Sequence, residues 1–263
     1  MIHIISQYFK INNNESDENY ELLTKRQNEY TYCLKKNLEY KYVEKIHLLL
    51  EKESDLQELI NNDIDINNNK LNIVKFNKRM YYKDAFEYAN QYLQNKIVVL
   101  LHSDIYLEAG FDKIKNMKNK MYPIARTSNI DGKNTGRGIR IFNIKDKGEF
   151  CVSSDGFCFS PPIKKDIIIN SNHPQNIWGG ENKIIYLFKK NKYHVFTPNS
   201  LKMIHWHITD LRPWTKNQNY WITIDNRYVE HQSKEYWKWR KDKNIVGGGI
   251  PLEIGSSKMV DHL

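Results

Sequence analysis

The chain has 263 residues, of which 40% are hydrophobic, so it is long enough to bury a core as one large α/β domain or two small ones. Its net charge is +9, but 32 of its 40 basic residues are Lys and 30 Asn are spread among them. This bias is typical of an AT-rich genome, and because Arg is scarce we expect no nucleic-acid partner. The three cysteines lack metal-ligand spacing, and no segment resembles a signal peptide or a membrane span. We therefore expect a soluble, cytoplasmic protein.

Short apolar runs alternate with amphipathic segments over the first hundred residues. Strands are predicted at 2–5, 43–50 and 71–76, and helices at 20–38, 55–60 and 85–93. The next run, Ile97–Leu101, contains only β-branched residues and Leu, which predicts a strand buried on both faces. This order is typical of a nucleotide-binding half of Rossmann type, with a mostly parallel central sheet between two helix layers.

The alternation is less regular after this strand. We predict a helix at 111–117, strands at 122–125, 139–142 and 150–159, a helix after Gly179-Gly180, and strands at 194–197 and 203–208. Residues 1–214 are expected to form the main domain, with a nucleotide-binding half at 1–108 and an acceptor half at 109–214. Residues 215–263 are expected to be an extension that packs on the core and ends in a mobile tail.

Polar residues follow the buried strand directly, in the order His102, Ser103, Asp104. Ligands bind at the carboxyl ends of strands in open α/β sheets, and Mg²⁺ and Mn²⁺ prefer carboxylate oxygens. The alternative is that Asp104 caps a helix beginning near Phe111, but six residues separate the two. Asp104 is therefore a candidate metal ligand.

Two histidines alternate with apolar residues in the last strand of the predicted domain. On a strand, His205 and His207 point to the same face. A single histidine there is more often an ordinary core residue, whereas a pair, five residues before Arg212, favours a functional site.

Two further carboxylates lie beside glycines. Glu181 is expected in the first turn of a helix behind Gly179-Gly180, where it either interacts with the helix dipole or acts as a general base. Asp155, between Ser154 and Gly156, either binds sugar hydroxyls or forms an Asx-turn.

Seven short segments of the chain resemble, in order, segments of glycosyltransferases of the GT-A fold. The resemblance is greatest to a group of small microbial and viral members that includes a chlorella-virus rhamnosyltransferase. The segments are Arg26–Tyr30, Arg79–Asp84, Leu101–Ile105, Ile124–Arg126, Ser153–Asp155, Gly179–Asn182 and His205–Arg212. Two departures occur: the D-x-D signature is reduced to His102-Ser103-Asp104, and the usual Asp of the G-x-D-N segment is Glu181.

The resemblance implies a metal-dependent transferase that moves a hexosyl or deoxyhexosyl group, with inversion, from a nucleoside-diphosphate sugar to a hydroxyl of a glycan or other acceptor. A UDP-sugar is the expected donor. Mn²⁺ or Mg²⁺ would be held by Asp104 with His207 or His205, and Glu181 would be the general base, with Asp155 as the second catalytic candidate. The implied donor-binding residues are Gln7, Arg26, Arg79, Asp84, Ser103, Arg126 and Arg212. The implied acceptor-binding residues are Trp178, Gly180 and Asn182.

Two alternatives remain open from the sequence. Arg212-Pro213-Trp214 resembles a Lys-Pro-Trp segment of retaining GT-A enzymes, which would change the stereochemical outcome. The missing first Asp of D-x-D also allows a non-catalytic glycan- or nucleic-acid-binding module on a decayed transferase fold. The presence of Glu181, Arg212 and both histidines argues against decay.

Overall fold

The computed structural model describes residues 1–11, 20–130, 133–134, 141–144, 148–151, 154–175, 177, 179–209, 221–224, 227–230, 234–243, 257–261 and 263. The first half alternates strands and helices, which confirms the predicted order. Its elements are β1 (Ile2–Tyr8), α1 (Tyr20–Glu39), β2 (Val43–Leu50), α2 (Glu53–Asn61), β3 (Leu71–Lys75), α3 (Tyr82–Tyr92) and β4 (Ile97–Leu101).

Strands predominate in the second half. Its strands are β5 (Ile105–Ala109), β6 (Lys120–Ile130), β7 (Lys133–Asn134), β8 (Ile141–Ile144), β9 (Gly148–Cys151), β10 (Ser154–Phe159), β11 (His194–Pro198), β12 (Lys202–Trp206), β13 (Trp221–Ile224), β14 (Arg227–Glu230) and β15 (Ser257–Val260). Its helices are α4 (Lys165–Asn170), α5 (Gly180–Lys190) and α6 (Lys234–Asp242). None of the helices described is both long and apolar enough to cross a membrane.

The central sheet has the strand order β3-β2-β1-β4-β10-β6-β11-β15-β9-β8. Strands β3, β2, β1 and β4 are parallel, whereas β10 is antiparallel to both of its neighbours, β4 and β6. Strand β12 pairs with β6 in parallel and with β5 in antiparallel orientation. Because β6, β11 and β15 are again mutually parallel, the sheet is mostly parallel, as predicted.

Helices cover both faces of this sheet, and β4 shows why. Val99 and Leu101 enter a hydrophobic cluster with Tyr30 and Leu34 of α1, on one face. Val98 and Leu100 enter a second cluster with side chains of α3 and α5, on the other face. Since side chains alternate along a strand, an uninterrupted apolar run can contribute to two cores at once. The three-layer α/β/α arrangement is therefore confirmed.

The predicted helix at 111–117 is wrong. The chain forms β5 and then only a single 3₁₀ turn, Phe111–Lys113. Gly110 between them has φ +88°, and a Cβ there would lie 2.0 Å from the carbonyl oxygen of Ser200. The chain therefore needs glycine at this bend. The helical spacing of apolar residues at 111–117 did not predict it.

The segment 150–159, predicted as one strand, contains two strands in different parts of the sheet. Strand β9 pairs with β8 and β15, while β10 lies between β4 and β6. Farther along the chain, β15 pairs with β11 in parallel orientation, so residues 257–260 belong to the sheet. The proposed division at residue 214 stays a prediction.

Candidate active site

A cluster of one carboxylate and two imidazoles lies at the carboxyl end of β4. Asp104 follows β4, and β12 brings His205 opposite Ile105 in the antiparallel pairing with β5. The backbone N–H of Trp206 donates to the Asp104 carbonyl at 2.9 Å, which fixes the two segments together. His205 Nε2 donates to Asp104 Oδ2 at 2.9 Å.

His207 completes this cluster. Its ring centroid lies 5.1 Å from that of His205, so the two imidazoles share a face, as the alternation predicted. One ligand atom each of Asp104, His205 and His207 lies within 4.8 Å of the others, and all three residues are buried. One oxygen and two imidazole nitrogens at this spacing suit a divalent cation such as Mn²⁺. Among the described residues, Asp104, His205 and His207 form the one group of three acidic, His or Cys side chains whose spacing suits a metal ion.

Arg26 and Glu29 of α1 border the cluster. Arg26 Nη2 donates to Asp104 Oδ2 at 2.5 Å, and Arg26 Nη1 pairs with the buried carboxylate of Glu29. Glu29 also accepts the backbone N–H of Thr209 at 2.6 Å. Helix α1 is thereby connected both to the metal-ligand candidate and to the segment that follows His207.

These charges determine the ionisation of Asp104. Burial raises the pKa of the Asp104 carboxyl, but the charges of His205 and Arg26 outweigh burial and hold that pKa well below its ordinary value. The carboxylate is ionised at neutral pH, as a metal ligand must be. Burial lowers the pKa of Arg26, while the neighbouring Tyr30 and Asp104 raise it above the ordinary value.

Gln7 and Ser103 lie beside the cluster, at the ends of β1 and β4. Ser103 Oγ donates to the Gln7 carbonyl at 2.6 Å. Gln7 is buried, and its Nε2 has no hydrogen-bond partner within the described part of the chain. Both residues line a small cavity together with His102 and Tyr30. This edge of the sheet therefore has an unused amide donor.

Arg79 and Asp84 lie at the start of α3, and both have local partners. Asp84 accepts the backbone N–H of Tyr81 at 2.8 Å and pairs with Lys78 Nζ at 2.7 Å, so its carboxylate caps the helix. Arg79 Nη1 lies 3.9 Å from a Glu51 oxygen and its guanidinium lies over the ring of Phe9. These contacts give both residues a structural role, and their donor-binding role stays a prediction.

Glu181 occupies the first turn of α5, as predicted. Gly179 precedes the helix with φ +80°, a conformation that favours glycine. A Cβ at Gly180 would lie 3.7 Å from His173 Nε2, an ordinary van der Waals distance, so packing does not demand glycine there. The helix buries the predicted apolar side, Ile184, Ile185 and Phe188, and Asn182 follows Glu181 in its first turn.

Asp155 lies on β10, directly before Gly156, the first residue of this strand that pairs with β4. Gly156 pairs with Leu101, and a Cβ at Gly156 would lie 2.9 Å from Met203 Sδ. Burial raises the pKa of the Tyr82 hydroxyl well above its ordinary value, and the charges of Glu181 and Asp155 raise it further. Both carboxylates therefore act on one buried hydroxyl and belong to one region.

Three polar residues near the candidate site residues had no role predicted from the sequence. Glu29 joins α1 to Thr209, while Tyr82 Oη and both ring nitrogens of His173 are buried without a hydrogen-bond partner among the described residues. Glu29 and Tyr82 both lie in segments that resemble the GT-A glycosyltransferases, and this resemblance could have identified them. His173 carried none.

Three of the predicted site residues lack a described side chain. The backbone of Arg126 on β6 pairs with Met203 of β12, but its side chain lies outside the described part. Trp178 and Arg212 lie outside the described residues altogether.

Comparison with known proteins gives matches among solved structures. No family model and no curated protein matches the chain. Among solved structures, the chain is similar to the mannosyltransferase PcManGT of Pyrobaculum calidifontis in complex with GDP-Man and Mn²⁺, with 11% identity, a TM-score of 0.42, and coverage of 77% of this chain and 56% of that one.

Two further solved structures are similar. GlyE, a glycosyltransferase of Streptococcus pneumoniae, has 11% identity and a TM-score of 0.40, with 96% of this chain and 61% of that chain covered. HddC of Yersinia pseudotuberculosis has 16% identity and a TM-score of 0.36, with 66% of this chain and 81% of that chain covered. These identities and TM-scores do not establish a family. The fold and the site define an α/β protein with a candidate metal centre at the carboxyl end of its central strand.

Proposed function

We propose that the chain is a metal-dependent glycosyltransferase of the GT-A fold. The donor would be a nucleoside-diphosphate sugar, with UDP-sugars as the first to test, and the acceptor a hydroxyl group of a glycan or other molecule. The observation that supports this most is the cluster of Asp104, His205 and His207, at the edge of an α/β sheet where nucleotides commonly bind. The resemblance of the seven segments supports the choice of reaction.

The reaction needs a positive charge where the diphosphate departs. Asp104 with His205 and His207 would hold the cation, and a bound Mn²⁺ or Mg²⁺ would neutralise the charge that develops on the leaving group. Arg26 lies in the same cluster, and its planar fork suits phosphate oxygens. By resemblance, Arg212 adds a second guanidinium.

The reaction also needs a base for the acceptor. In our proposal Glu181 removes the proton from the acceptor hydroxyl, whose oxygen then forms a bond to the anomeric carbon as the bond to the diphosphate breaks. Attack from the side opposite the leaving group inverts the anomeric configuration. Asp155, which influences the same tyrosine as Glu181, would bind sugar hydroxyls or replace Glu181 as the base.

Nucleotide binding is the direct test. We expect UDP or GDP to raise the melting temperature of the full chain in the presence of Mn²⁺, and to have little effect when EDTA replaces the metal. Asp104→Asn should remove the metal-dependent shift, whereas the exposed Asp112→Asn should retain it. Stabilisation by oligonucleotides in a salt-sensitive way, with none by nucleotides, would contradict the proposal.

The stereochemistry needs a separate experiment. Incubation with Mn²⁺, an acceptor and a panel of UDP- and GDP-sugars should release the nucleoside diphosphate. The anomeric configuration of a transferred sugar, read by NMR, decides between inversion and retention. A retained configuration would contradict the role of Glu181 as the base for direct displacement.

A further inference from the structure

One oxygen of Asp104, the candidate metal ligand, already carries two hydrogen bonds. Arg26 Nη2 donates to Oδ2 at 2.5 Å and His205 Nε2 donates to the same atom at 2.9 Å. The side chains of Arg26 and Asp104 are 12% and 10% exposed, so this ion pair is largely shielded from water. A further charge beside this atom would interact strongly with Arg26 and Asp104, because little water is present to screen it.

A divalent cation on Oδ2 would approach Arg26 closely. Metal–oxygen distances for Mg²⁺ are about 2.1 Å, so a cation bound to Oδ2 would lie within about 4.6 Å of Arg26 Nη2 at any angle, given the 2.5 Å contact of that nitrogen. Two like charges at this separation repel strongly in a buried site. Arg26 therefore either leaves Asp104 or weakens the binding of the cation.

Arg26 has a second anchor that keeps it in the site. Its Nη1 pairs with Glu29, which is itself fixed by the backbone N–H of Thr209 at 2.6 Å. The guanidinium also lies 4.8 Å from the ring centroid of Tyr30. The nitrogen that faces Asp104 can change its acceptor while the other nitrogen keeps Glu29, so the guanidinium stays within reach of an anion bound beside the cation.

We propose that Arg26 is an exchangeable counter-ion, which neutralises Asp104 until a divalent cation takes up that carboxylate and then transfers its hydrogen bond to the diphosphate. This inference rests on the proposed function, because the diphosphate is the anion of the donor. Its consequence is cooperative binding: the cation binds weakly alone and more tightly with a nucleoside diphosphate, and the reverse holds to the same degree.

The test is calorimetric titration of Mn²⁺ into the full chain, alone and with saturating UDP or GDP. Wild type should bind Mn²⁺ about tenfold or more tightly when the nucleotide is present. Arg26→Gln should bind Mn²⁺ alone about tenfold more tightly than wild type, and the effect of the nucleotide should shrink. Arg26→Lys, which keeps the charge, should remain close to wild type for Mn²⁺ alone.

A matched control removes the same charge from the same helix. Lys36 lies on α1 with its side chain 41% exposed, so Lys36→Gln should leave both Mn²⁺ affinities unchanged. If Arg26→Gln unfolds, Arg26→Gln/Glu29→Gln removes both members of the buried pair, keeps the net charge and carries the same expectation. Circular dichroism melting identifies which variant is usable.

Weaker or unchanged binding of Mn²⁺ alone by Arg26→Gln would overturn the inference, because Arg26 would then support the carboxylate as a ligand. The failure of wild type to bind either nucleotide at saturating Mn²⁺ would instead contradict the proposed function and the transfer to a diphosphate. In that case the Mn²⁺ affinity of Arg26→Gln still decides whether Arg26 competes with the cation.

Discussion

The Oδ2 atom of Asp104 lies 2.9 Å from Nε2 of His205, although 101 positions separate the two residues in the chain. The contact depends on the pairing of β12 with β5, which brings the end of one strand against the segment that follows β4. The candidate metal centre is therefore a product of the folded sheet, and its ligands come from distant parts of the chain.

Replacing Asp104 tests the oxygen ligand. Asp104→Asn keeps the shape of the side chain but removes its charge, so Mn²⁺ affinity measured by calorimetry should fall by about 100-fold or more. Asp112→Asn, on the exposed 3₁₀ turn, should retain wild-type affinity. Unchanged Mn²⁺ affinity in Asp104→Asn would remove this residue from the metal centre.

The two histidines should differ in their effects on stability. His205→Ala removes a candidate imidazole ligand, so Mn²⁺ affinity should fall. It also removes the donor to the buried Asp104 carboxylate, so the free energy of unfolding should fall by about 1–3 kcal/mol. His207→Ala should lower Mn²⁺ affinity with a smaller loss of stability. The control is His194→Ala, on an exposed position of β11, and equal Mn²⁺ affinity in all three variants would refute the histidine ligands.

Glu181→Gln tests the chemical step. The amide keeps the size of the side chain but cannot accept the proton of the acceptor, so turnover should fall by about 10²- to 10⁴-fold while donor affinity stays near wild type. Glu87→Gln, on an exposed position of α3, provides the matched change. Transfer at the wild-type rate in Glu181→Gln would leave Asp155 as the candidate base.

His173 should make stability dependent on pH. Burial, followed by the charges of Lys183 and Lys243, lowers the pKa of His173 to about 3. The unfolded chain binds the proton at its ordinary pKa of 6.5, so the contribution of His173 to stability is complete above pH 6.5 and is lost as the pH falls towards 3. Between pH 7 and 5 this loss should be about 2 kcal/mol.

The variant His173→Phe isolates this effect. Both ring nitrogens are buried without a hydrogen-bond partner in the described part of the chain, so an apolar ring of similar size should be tolerated at pH 7. Urea unfolding at pH 7 and 5 should show a smaller loss of stability in the variant than in wild type. An identical loss in both proteins would show that His173 is not the titrating group.

Local pattern was sufficient for the elements that carry the candidate site. The run Ile97–Leu101 has the composition of a doubly buried strand, and the spacing of Ile184, Ile185 and Phe188 predicted the buried side of α5. The alternation of His205 and His207 predicted their common face. The first prediction depended on composition, and the other two depended on a period of about 3.6 residues and of two residues.

Local sequence patterns were not sufficient where distant contacts determine local structure. Phe111, Ile114 and Met117 are buried at a spacing that resembles one side of a helix, yet the bend at Gly110 and its close approach to Ser200 give a single 3₁₀ turn. Likewise, Arg26 and Asp104 lie 78 positions apart, and no local pattern contains their contact.

The position of β15 has a consequence for synthesis on the ribosome. Strand β15 lies between β11 and β9, and within the described pairings it alone connects the β8–β9 pair to the rest of the sheet. Among the described strands, the edge of β11 that faces β15 has no other partner until translation has passed residue 260. Unpaired strand edges can pair with other chains, so association at this edge would compete with folding until these residues are in place.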